Sequence, residues 1–117
     1  MSGTAPQPGH ISITALRVES PLLLPRFWWH TLRALRAART APGNLSVAAR
    51  QLGALHCTVT LWTDRDAMRA FMRGDAHRAA MTGTPFAGSG RVAGYAGTRA
   101  PDWADVLAIL QARGRDL

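Results

Sequence analysis

The spacing of apolar and polar residues divides the chain into successive strands and helices. Residues 10–19, "HISITALRVE", alternate and are rich in β-branched residues, which predicts a first strand. After Pro21 the period changes. Leu24, Trp28, Thr31, Leu35 and Ala38 recur at helical spacing, and Pro25 suits a helix's first turn. Arg33, Arg36 and Arg39 fall away from that stripe. "TAPGN" at 40–44 ends the helix, because proline disfavours helix in the residue before it. "LSVAARQLGALHCTVTLW" then reads as a hairpin of two strands around Gly53. In the second strand Leu55, Cys57, Val59 and Leu61 face one way, and His56, Thr58, Thr60 and Trp62 the other.

Thr63 is expected to cap a second helix, with Asp66 three residues on. Gly74 interrupts that helix, and Asp75 can cap a further piece over 76–81. "SGRVAGYAGT" at 89–98 predicts a fourth strand, weakened by its glycines. "APDWADVLAILQARG" predicts a closing helix, with Pro101 near its start and Gly114 near its end. Residues 1–9 hold two prolines and two glycines without periodicity and are expected to be a disordered tail before a single domain over 10–117. The order β-α-β-β-α-β-α is that of an α+β, ferredoxin-like split βαβ fold with an added C-terminal helix. Such a fold carries helices on one face of an antiparallel sheet. The semi-polar face of Thr58, Thr60 and Trp62 is then expected to be buried by a partner subunit's sheet.

Composition narrows the function class. With 117 residues, 47% of them hydrophobic, the chain suits one globular domain with a modest core. The net charge is +7 and all fourteen basic residues are arginine. A lysine-free, arginine- and alanine-rich chain fits the codon bias of a GC-rich genome, so the charge alone names no anionic partner. The one cysteine, Cys57, precludes an internal disulfide and points to a reducing compartment. The start "MSGTAPQPGH" has no charged or apolar region of a signal peptide, and "PLLLPRFWWH" is too short to span a bilayer. A cytoplasmic location without a membrane span is expected.

Candidate chemistry is sparse. The histidines stand at 10, 30, 56 and 77, with no pair at metal-ligand spacing, so no metal site is expected. "GSGRVAG" at 88–94 is followed by a strand, whereas a phosphate loop needs a helix. Cys57 lies on the aliphatic side of its strand, as a small buried hydrophobe would. Arg26, Arg33, Arg36 and Arg39 read as a solvated helix face, and no nucleic-acid-binding module is recognisable.

"TLWTDRDAMRAFMRGDAHRAAM", residues 60–81, resembles the dimeric α+β barrel superfamily, which includes antibiotic-biosynthesis-type and haem-degrading monooxygenases. The strand-ending Trp62, Met68 and Phe71 in the helix, and the break at Gly74 each have a counterpart there. "RALRAARTAPGNLSVAARQLG", within residues 24–62, is also similar to the spheroidene monooxygenase-like branch, where an arginine-rich helix ends in an "APG"-type turn. The resemblance covers roughly residues 10–98 and implies a homodimer with a cleft between sheet and helices. It implies oxidation of a small aromatic, polyketide-like or isoprenoid molecule, with either no cofactor or haem. Haem-degrading members carry their ligating histidine at the position that looks like Met81. His77 is one turn earlier, a shift of about 6 Å along the helix, so the haem role does not pass to it directly.

On this reading His77 is the catalytic candidate, as a base or hydrogen-bond donor in the first turn after Asp75, where the helix dipole favours a neutral imidazole. Trp62, Phe71 and Met81 are expected to wall the ligand. His30 and Trp28, on the first helix, are further expected ligand-binding residues, while Trp29 points outward. His56 is expected at a dimer interface, and His10, beside the tail, receives no role. Two alternatives use the same cleft: a non-catalytic ligand-binding or interaction module, and a haem-binding protein.

Overall fold

A computed structural model describes residues 9–18, 22, 24–74 and 90–116. Strand β1 (His10–Arg17) leads to helix α1 (Leu24–Thr40), the hairpin β2 (Asn44–Leu52) and β3 (Leu55–Trp62), and helix α2 (Arg65–Met72). Strand β4 (Gly90–Ala96), helix α3 (Trp103–Arg113) and a two-residue strand β5 (Arg115–Asp116) follow. The sheet has the order β2-β3-β1-β4-β5, with every neighbouring pair antiparallel. This is the expected ferredoxin-like α+β arrangement, extended by α3 and by β5, which the sequence pattern did not predict. The expected tail, apart from Gly9, and the expected helix over 76–81 lie outside the described residues. Gly9 itself is buried, and its carbonyl accepts a hydrogen bond from Gly97 at 2.8 Å.

The two faces of the sheet differ in chemistry. Alternation sends Ile11, Ile13 and Ala15 of β1 to one side, with Cys57, Val59 and Leu61 of β3 and Ala93 of β4. Val106 and Leu110 of α3 close over them and complete the core. Full burial of an Ile or Val there contributes about 1.5–3 kcal/mol. The opposite side carries His10, Ser12 and Thr14 paired with Trp62, Thr60 and Thr58. Contrary to expectation, the helices α1 and α2 of the same chain pack on this semi-polar face. Phe27 of α1 meets His56 at 5.1 Å between ring centroids, and Phe71 of α2 meets Trp62 at 5.4 Å. These rings cover His56 and Trp62 from within the chain. α3 lies on the other face, so helices flank both sides.

Local signals set the ends of these elements. The turn after α1 runs through Gly43, whose φ of +83° falls in the left-handed region that glycine tolerates. A Cβ there would stand 2.5 Å from the Ala67 Cβ and 2.8 Å from the Thr63 Oγ1, so the turn nests against the start of α2. The α2 cap is Asp64 rather than the expected Thr63. Its Oδ1 accepts from the Ala67 amide at 2.7 Å, satisfying one of the free amides of the first turn. At the other end of the chain the Arg91 guanidinium fixes the end of α3. Its Nε and NH2 donate to the Leu110 carbonyl at 3.3 and 3.1 Å, NH2 donates to the Gly114 carbonyl at 2.8 Å, and NH1 pairs with Asp116 at 2.9 Å.

Candidate functional site

The semi-polar face and α2 enclose a cleft of about 530 Å³ beside β4. Its floor is made of small residues, Ser12 of β1 and Val92, Gly94 and Ala96 of β4, because β4 alternates and presents these on the cleft side. Arg65, Met68 and Met72 of α2 form the facing wall. Their spacing of three and then four residues puts them on one helical stripe. Tyr95, Arg113 and Arg115 complete the lining at the β4 edge, where the Arg113 guanidinium lies over the Tyr95 ring at 5.2 Å.

His10 is the polar group set deepest in this lining. It is 7% exposed, and its Nε2 has no hydrogen-bond partner among the described residues. Gly94 makes room for it: a Cβ there would lie 3.1 Å from Nε2 and 3.4 Å from Cε1. Burial, followed by the nearby cations of Arg65 and Arg69, holds the His10 pKa below its ordinary value of 6.5. The imidazole is therefore neutral at pH 7. Directly across the β1–β3 ladder stands Trp62, 1% exposed, whose Nε1 also lacks a partner among the described residues. A buried polar group left unbonded costs about 1–3 kcal/mol, so two adjacent ones mark a place where packing alone is not optimised.

The expected site residues separate into three places. Trp62 and Phe71 stack on each other, tilted by 32°, and Trp62 lies beside His10 beneath the helix. Phe71 faces a second, shallow hollow lined by Ala41, Pro42, Gly43 and Ala67 rather than the cleft. Trp28 is half-buried near the other end of β3, edge-on to His56 at 5.3 Å, and His56 is 7% exposed with its pKa lowered by burial. His30 is half-buried on α1, and neither it nor Trp28 lines the cleft. His77 and Met81 lie outside the described residues.

Sequence reasoning missed His10, Met72 and Arg65. The signal for His10 was present in β1, where His10, Ser12 and Thr14 alternate as the same semi-polar face that Thr58 and Thr60 display on β3. His10 is the one described histidine that lines the cleft. Its Nε2 is buried next to Gly94, and His30 and His56 lie outside the lining. No group of three or more His, Cys, Asp or Glu among the described residues could hold a metal ion. No described helix is long and apolar enough to cross a membrane.

No protein-family model and no curated protein matches the sequence. Solved structures do match the fold. SnoaB, a cofactor-independent oxygenase from Streptomyces nogalater, superposes with a TM-score of 0.65 at 14% identity, over 79% of this chain and 95% of that one. A conserved protein from Methanosarcina mazei Go1 gives a TM-score of 0.70 at 10% identity, over 79% and 95% of the two chains. A structure described as an antibiotic biosynthesis monooxygenase gives 0.68 at 12% identity, over 77% and 99%. At these identities the likeness is one of architecture, and the chain has the α+β, ferredoxin-like fold of the antibiotic-biosynthesis-monooxygenase-like proteins.

Proposed function

We propose that this monooxygenase-like protein binds a small hydrophobic molecule, aromatic or isoprenoid, in the cleft between sheet and α2 and oxidises it with molecular oxygen. The observation that carries this reading is a cleft walled by Met68 and Met72 whose buried polar group, His10, is unpartnered. A concave site that sets an apolar wall beside a few placed polar groups suits a small molecule. The substrate would give up a proton to a neutral histidine, and the resulting carbanion, kept from water, would reduce oxygen and form a C–O bond as a hydroperoxide. Its O–O bond would then break with loss of a C–H proton, leaving a carbonyl on the substrate and releasing water. No cofactor enters that sequence, because an electron-rich substrate supplies the electrons itself. SnoaB, cofactor-independent and alike in fold, supports this version.

Two histidines compete for the role of base. His77 is the one that the resemblance favours, and His10 lines the cleft. Oxygen uptake with a panel of electron-rich phenols tests both. The expected result is uptake above the protein-free rate, falling about 100-fold in His77→Ala or in His10→Ala, whichever is the base. Binding of a phenol without oxygen uptake would instead make the protein a ligand-binding module. The closed Nε2 of His10 favours that second reading. A Soret band on haem titration, lost in His77→Ala, would replace both with the haem-binding version.

A homodimer belongs to the same proposal. Edge strand β2 exposes most of its residues, among them Leu45, and α1 exposes Trp29 and Leu32. Sedimentation at the 12.6 kDa of one chain would overturn it.

A further inference from the structure

We infer that the ligand of this cleft is an apolar ring system bearing an oxyanion head group, a carboxylate or a phosphate, held by arginines from two separate parts of the chain. The inference rests on the cleft being the ligand site proposed above. Three guanidiniums line it: Arg65 at the start of α2, and Arg113 and Arg115 around the end of α3. No carboxylate lines it among the described residues. The acids nearest in sequence are engaged or turned away. Asp64 caps the Ala67 amide, Asp116 is paired with Arg91, and Asp66 follows Arg65 by one residue, which points it off the cleft stripe.

Three guanidiniums line one 530 Å³ space without a described acid among them, and their summed positive potential favours an anion there. Guanidinium forks match the planar oxygens of a carboxylate or the oxygens of a phosphate in a way that a neutral amide cannot reproduce. The methionine wall and the small-residue floor take the apolar ring, while Tyr95 holds Arg113 in place by its ring face.

Calorimetric titration of the intact chain with 2-naphthoate, 2-naphthyl phosphate and neutral 2-naphthamide tests this. One acid is expected to bind about tenfold or more tightly than the amide at low salt, with the difference shrinking as salt rises. In the R65Q/R113Q/R115Q variant the acids should fall to the affinity of the amide, whose own binding is unchanged and reports an intact cleft. The corresponding triple lysine variant should retain part of the preference, and Arg33→Gln, on the far side of α1, all of it. Equal binding of acid and amide by the wild-type chain, or a preference that survives the triple glutamine variant, overturns the inference and leaves the cleft reading standing. Binding of none of the three probes overturns both.

Discussion

His10 and Trp62 face each other across the β1–β3 ladder, and each buries a ring nitrogen that no described group bonds. The pair sets a specific expectation. Trp62→Phe removes an unsatisfied N–H while keeping most of the stack on Phe71, so its stability change should stay within about 1.5 kcal/mol. Trp62→Ala removes the packing too and should cost about 3–5 kcal/mol. Urea unfolding of both variants checks the contrast. Equal, large losses would mean that the indole nitrogen is bonded in solution.

The two buried histidines make stability depend on pH in one direction. Burial lowers both pKa values, and Arg65 and Arg69 add to the effect at His10. The unfolded chain therefore binds protons first as the pH falls below 6.5, and the native state loses stability from there down through the lowered folded pKa. Above 6.5 both states are neutral at these positions and no further gain accrues. Chemical denaturation at several pH values should give a rising curve that levels off near neutrality. His10→Gln should flatten part of the rise.

Two glycines with positive φ separate strain from contact. Gly53 has open space where a Cβ would go, so Gly53→Ala should cost only the left-handed backbone penalty, about 1 kcal/mol. Gly43→Ala adds a clash with Ala67 and Thr63 and should cost more, about 2–4 kcal/mol. Thermal unfolding of the two variants side by side measures the difference.

Removing the Arg91 side chain should free the end of α3. The guanidinium donates to the Gly114 carbonyl and adds a second donor to the Leu110 carbonyl, which already accepts from the Gly114 amide, and its charge suits the negative end of the helix dipole. Arg91→Met should cost about 1–3 kcal/mol and raise amide exchange over residues 110–116 before it affects β1 or β3. Uniform acceleration of exchange across the sheet would contradict a local role.

Most of the fold was legible in the sequence because its signals are local. Alternation gave β1 and β3, the i, i+4 stripe gave α1, and Gly53 marked the hairpin turn. What escaped depends on contacts between distant segments. His10 looked peripheral beside a Pro- and Gly-rich stretch, yet Gly94 and Trp62 bury it from two neighbouring strands. The stripe placed Ala38 correctly, but at its start Phe27 is the buried ring, at 1% exposure, while Trp28 is half-buried beside it. Which face α3 would cover was equally unreadable, since its own pattern names no partner. The candidate site was the least legible part. Its arginines are spread over fifty positions, and only β4 and the last turn of α3 bring them together.

The cleft joins His10, at the beginning of the first strand, to Arg113 and Arg115, which follow every other element described. During synthesis it cannot exist until residue 115 has left the ribosome, even though β1, β2 and β3 can pair long before. Ligand binding thus reports on the completion of folding, and a chain cut short before Arg113 could look ordered by its sheet while having no site to offer.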